Sequence, residues 1–141
     1  MTQLSSDLLH ASCVAIGDKA VLIAGRSGTG KSDLALRLID RGAVLVSDDY
    51  TEVRRRGPAL FATPPARIAG QIEVRGIGLV AMPHLPEAEV VLLIDLDGAV
   101  ERMPEAATRR LAGVDIPAIA LAPLEASAPI KVELLLKGLP A

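Results

Sequence analysis

Positions 25 to 32 read GRSGTGKS, three glycines ahead of a lysine and a serine, directly after the apolar run VLIA. This G-x-x-x-x-G-K-S spacing suits a polyphosphate. Gly25, Gly28 and Gly30 free the backbone to curl, so that the amides of Arg26, Ser27, Thr29 and their neighbours can turn toward phosphate oxygens. A helix starting there adds unpaired donors and a positive dipole end. Lys31 is expected to neutralise the outer phosphates, and the Ser32 hydroxyl to bind magnesium.

A second group is VSDDY at 46 to 50, with two carboxylates at the end of an apolar strand, where sheet enzymes gather their sites. Alternation along an extended chain predicts that Asp48 and Asp49 point to opposite sides, one toward metal or substrate and the other toward structure. Asp48 is the candidate base for a hydroxyl nucleophile. A third group is IEVRGIG at 72 to 78, whose Glu73 and Arg75 share one face of a predicted strand. They could hold magnesium and a phosphoryl oxygen, but spacing alone favours an ordinary surface ion pair.

These groups need positioning elements. CVAI (13–16) and AVLIA (20–24), split by Gly17-Asp18, predict a hairpin feeding the glycine loop. Leu34, Ala35, Leu38 and Ile39 recur at helical spacing, with a stop at Gly42. AVLVS (43–47) predicts a buried strand, TEVRR and ALFAT a second hairpin, IEVRG (72–76) a half-buried strand and EVVLLIDL (89–96) a fully buried one. The stretch 98 to 115 shows no helical face and is expected to be a mobile or partly helical surface segment. IPAIALA predicts a last strand, and APIKVELLLKGL a last helix with Pro129 in its first turn.

At 141 residues, 50% apolar and 23% charged, the chain has the size and composition of one globular domain spanning 1–141. A net charge of -2 and a single Phe and Tyr argue against a nucleic-acid partner. Lone Cys13 predicts a buried apolar side chain in a reducing compartment. No apolar run reaches a membrane span, so the expectation is a cytoplasmic protein with no membrane partner. His10 on its own reads as a solvated residue.

Taken together, GRSGTGKSDLALRLIDRG, LVSDDY, PPARIAGQIEVRGIG, VVLLIDL and ERM resemble the catalytic domain of the bacterial HPr kinase/phosphorylase family. The resemblance implies an α/β fold, a mixed sheet with a phosphate loop and flanking helices related to the phosphoenolpyruvate carboxykinase core. It implies a magnesium-dependent enzyme that uses ATP or pyrophosphate to phosphorylate a serine of the phosphocarrier HPr. Inorganic phosphate removes that group as pyrophosphate.

By position, Asp48 then looks like the catalytic aspartate with Asp49 supporting it, and His10 like the histidine near it. Glu73 and Asp49 join Ser32 as candidate metal ligands, Arg75 faces phosphate, and Arg102 matches the arginine of the family's flexible loop. The family's longer members carry an N-terminal domain and a longer C-terminal helix, and they assemble as hexamers, which predicts a homo-oligomer. Two alternatives stay open. One is a small-molecule kinase with ATRRLAG as a basic lid; the other is a nucleotide sensor in which Asp48 only holds metal.

Overall fold

The structure is a computed structural model that describes residues 5–140. Its main element is a nine-stranded mixed sheet. Strands β1 (Ser6–Leu9), β2 (Ala11–Ile16) and β3 (Lys19–Ala24) lead into helix α1 (Lys31–Asp40), followed by β4 (Val44–Ser47), β5 (Thr51–Arg56) and β6 (Ala59–Thr63). A 3₁₀ turn at Ala66–Ile68 precedes β7 (Gln71–Val74) and β8 (Gly78–Ala81), which form a separate two-stranded ribbon. The chain ends with β9 (Ala88–Asp95), β10 (Thr108–Leu111), β11 (Val114–Ala120) and α2 (Ala128–Lys137).

The sheet order is β1-β5-β6-β9-β3-β2-β4, with β11 joining β9 and β10 joining β11. β9 lies parallel to β3, bringing Asp95 opposite Ala24 at the mouth of the glycine loop. Its other edge is shared between β6 near its start and β11 near its end.

Residue alternation divides the core between the two faces of the central strands. Val21, Ile23, Leu92 and Ile94 pack with Leu34 and Leu38 of α1 and Val132 of α2. Ala20, Leu22 and Leu93 turn the other way, onto Val53, Leu60, Leu111 and Ile116 from the rest of the curled sheet. Each such fully buried leucine or isoleucine contributes roughly 1.5–3 kcal/mol. Cys13 is fully buried and its thiol is pushed up by that burial, as an inert core residue should be.

The predicted mixed α/β sheet, both hairpins and both helices are present. Gly42, at φ 110°, closes α1 by letting the Ala43 amide return to the Leu38 carbonyl. Three expectations change. The segment 98–115 is not partly helical: its last part is β10, paired antiparallel with β11 across Ala112-Gly113. Both turn residues have positive φ, 47° and 84°, as a tight two-residue hairpin requires. Thr108, Arg109 and Arg110 are all exposed, so the strand carries no apolar alternation to betray it. The strand expected over 72–76 ends at Val74, because Gly76 and Gly78 take positive φ and fold 75–77 into a turn toward β8. β1, which pairs with β5, had no counterpart in the sequence reading.

Candidate functional site

The glycine loop leaves β3 at its C-terminal end and enters α1. Its first position tolerates no side chain, since a Cβ on Gly25 would lie 2.5 Å from Thr29 Oγ1 and 3.2 Å from Leu96 Cβ. Gly28 and Gly30 have φ of 84° and 105°. Inside the loop the Arg26 carbonyl is a hub. It accepts the Thr29 hydroxyl at 2.7 Å, the Thr29 amide at 3.1 Å and the Lys31 ammonium at 3.2 Å. Among the described residues the amides of Gly28, Gly30, Lys31 and Ser32 meet no protein acceptor. Such a set of unpaired donors at a helix start has the geometry of a cradle suited to an anion.

Asp48 lies beside this cradle and is only 6% exposed. Its Oδ1 accepts the Ser32 hydroxyl at 2.6 Å and the Ser12 hydroxyl at 2.9 Å, and its Oδ2 accepts the Glu73 amide at 2.9 Å. One carboxylate thereby joins the loop, β2 and the β7–β8 ribbon. A charge this buried needs such donors, and they fix its orientation.

Asp49 does not turn away. Its φ of 66° takes it out of the extended conformation, so the alternation expected for adjacent strand residues fails here. Its Oδ1 lies 2.9 Å from His10 Nε2 and 3.8 Å from the Lys31 ammonium. His10 is therefore held beside the acidic pair, contrary to the solvated reading of that residue alone, and stacks on Tyr50 with ring centroids 4.9 Å apart.

Lys31, Ser32, Asp48, Asp49 and His10 thus converge. The other predicted residues are less closely joined. Glu73 is brought in by its backbone amide, and its side chain is exposed. Arg75 is in the exposed turn and not on a strand face with Glu73, so the simple ion pair expected from their spacing is absent. Arg102 is exposed in an irregular stretch, and neither arginine forms an ion pair among the described residues.

Sequence reasoning missed Ser12. It is fully buried, donates to Asp48 and accepts the Asp49 amide at 3.1 Å. The available signal was a hydroxyl inside an apolar strand. It also missed Asp95, the last residue of β9, and Asp97 just beyond it, whose carboxylate reaches the loop at Arg26.

Magnesium takes only a few protein oxygens and fills its shell with phosphates and water. The Ser32 hydroxyl beside the Asp48 carboxylate, with Asp49 next to it, suits that requirement. Among the described residues no group of three or more His, Cys, Asp or Glu is gathered as a preformed metal cage. No described helix is long and apolar enough to cross a membrane.

Comparison with known proteins gives a consistent picture. The profile of the HPr Serine kinase C-terminal domain matches residues 2–127. The HPr kinase/phosphorylase of Clostridium tetani is 38% identical over 92 residues, covering 65% of this chain and 30% of that protein. That of Geobacillus thermodenitrificans is 37% identical over 97 residues, covering 63% of this chain and 31% of that protein. The matched region therefore spans under a third of these relatives. The solved Hpr(Ser) kinase/phosphatase of Coxiella burnetii superposes with a TM-score of 0.80 at 28% identity, covering 93% of this chain and 94% of that one.

Proposed function

The chain belongs to the HPr Serine kinase C-terminal domain family, and from that membership we propose a magnesium-dependent, reversible phosphoryl transfer between a polyphosphate and a serine of the phosphocarrier HPr. The observation that carries this reading is the 2.6 Å contact between Ser32, at the end of the glycine loop, and Asp48. A phosphate seated on the loop amides has its end within reach of a carboxylate already oriented by Ser12 and the Glu73 amide.

In the forward direction the acceptor serine gives its proton to Asp48 as its oxygen attacks the terminal phosphorus of ATP or pyrophosphate. The bond from that phosphorus to the bridging oxygen breaks, releasing ADP from ATP or inorganic phosphate from pyrophosphate. In reverse, an oxygen of inorganic phosphate attacks the phosphoserine phosphorus. The departing serine oxygen recovers its proton from Asp48, and pyrophosphate is formed. Lys31 shifts from the Arg26 carbonyl to the outer phosphates, and His10 with Asp49 flanks the proton-transfer site. Arg75 and Arg102, both exposed, are placed in this reading on the acceptor side, where cations stabilise charge spreading over the transferred group. Ser32, with Asp49 and Glu73 as further candidates, would hold the magnesium ion, which would supply charge neutralisation on the phosphates.

The small-molecule kinase alternative needed ATRRLAG as a free basic lid. Those residues instead make a hairpin in which Arg109 pairs with Asp95 at 2.9 Å and Arg110 with Asp115 at 3.1 Å. The test is the mass of purified HPr after incubation with this protein, magnesium and ATP, and again after inorganic phosphate is added. Gain of one phosphoryl group and its loss with release of pyrophosphate are expected; unchanged HPr in both steps overturns the proposal.

A further inference from the structure

Two carboxylates outside the proposed chemistry are tied to the glycine loop. Asp97 accepts the Arg26 amide at 2.8 Å on Oδ2 and the Arg26 guanidinium Nε at 3.2 Å on Oδ1, from 71 positions away. Asp97 is itself held. Its amide and that of Gly98 donate to Asp95 Oδ1 at 2.9 and 3.1 Å, while Arg109 donates to Asp95 Oδ2 at 2.9 Å. A side chain at position 98 would come within 2.9 Å of Ala120 Cβ and 3.0 Å of Asp95 Oδ2, so the tight wrap around Asp95 needs glycine. Burial pushes the Asp95 carboxyl up, but the Asp97 amide, Arg109 and the Gly98 amide outweigh it and keep it below the usual range.

Asp97 sets a carboxylate beside a loop whose amides at Gly28, Gly30, Lys31 and Ser32 meet no protein acceptor among the described residues. A negative charge so close to a bound polyphosphate repels it, so its presence calls for an offsetting role. The clip offers one. It fixes the amide of Arg26, whose carbonyl on the same residue holds Thr29 and Lys31. We infer that Asp97 is a positioning residue, which holds the first limb of the loop so that the later amides and Lys31 meet the phosphates, with Asp95 and Arg109 as its brace. The inference rests on reading 25–32 as a polyphosphate loop.

The two ideas separate in one experiment, calorimetric titration of the full chain with pyrophosphate and magnesium, alongside melting temperatures. Asp97→Ala is expected to bind about tenfold more weakly, with a charge-assisted hydrogen bond lost. Asp97→Asn keeps an oxygen for the Arg26 amide and is expected to stay within about threefold of the parent. Equal or tighter binding in both variants means that only charge repulsion was removed, and overturns the inference. Equal weakening in both overturns it too, because restoring the acceptor then restores nothing. If the unsubstituted protein does not bind pyrophosphate, the loop reading itself fails and takes the inference with it. Should Asp97→Ala not fold, Arg109→Gln decides. Binding weakened by about threefold supports the brace, and unchanged binding overturns it.

Discussion

Two parts of the molecule hold their polar groups in opposite ways. On the β2–β4 side, Ser12, Lys31 and Asp48 are buried and each is hydrogen-bonded: Ser12 donates to Asp48, Lys31 donates to the Arg26 carbonyl, and Asp48 also accepts the Ser32 hydroxyl and the Glu73 amide. By contrast, the turn of the β7–β8 ribbon and the stretch 98–107 leave Arg75 and Arg102 exposed, and Ile77 and Leu79, near Arg75 in the chain, are 77% and 73% exposed. The buried side has its donors and acceptors in place before any ligand arrives, which lowers the reorganisation that a reaction must meet. In the proposed function the first holds the phosphoryl donor and the base, and the second meets the acceptor protein.

The sharpest way to test this division is Asp48→Asn. Both serine hydroxyls can rotate to accept from the new amide nitrogen while its oxygen keeps the Glu73 amide, so the fold should persist. Phosphoryl transfer should fall by roughly 10³-fold or more, while nucleotide binding survives. Retained transfer removes the base from the buried side. Lys31→Ala comes next, with a loss of about 10²–10³-fold in transfer together with weakened donor binding. Intact donor affinity in that variant would separate the lysine from the phosphates.

Arg75→Ala and Arg102→Ala probe the exposed side. Each should cost about tenfold or more in transfer, with Arg102→Ala acting more on phosphorolysis, and neither should move the melting temperature or pyrophosphate affinity. A change in pyrophosphate affinity in either variant would place that residue with the buried group. The smallest effect concerns acid. The folded carboxyl of Asp95 lies below its ordinary value of 3.8, so its stabilising contribution is present above that pH and is lost as pH falls through the lower folded value. Melting curves of Asp95→Asn and the parent should differ at neutral pH and begin to converge only once pH falls below 3.8. A constant gap down to pH 2 would show that the carboxylate charge contributes nothing to the brace.

Legibility followed the same division. The glycine loop, its helix and the Asp pair could be read because each is contiguous and sits next to an apolar run. The resemblance picked out Glu73 and Arg75 through IEVRGIG, although spacing had favoured an ion pair, and the structure puts one on a strand and the other in a turn. β10 escaped notice because its first three residues are exposed, and its pairing with β11 is fixed by a turn at Ala112-Gly113 that composition does not single out. Ser12 escaped because a buried hydroxyl has meaning only beside the carboxylate it serves, 36 positions later.

The amino-acid sequence by itself determined the local elements. Apolar runs selected most of the strands, though not β1 or β10, glycines placed the loop and the end of α1, and adjacent polar residues marked where chemistry could gather. Tertiary structure alone decided which of those groups meet. It turned Asp49 through a left-handed backbone toward Lys31 and His10, set Ser12 against Asp48, and brought Asp97, just past the neighbouring strand β9, to the Arg26 amide. The physical reason is that hydrogen bonds depend on distances near 3 Å between particular atoms, and a linear pattern of residue types holds no record of which distant strands pair to create them.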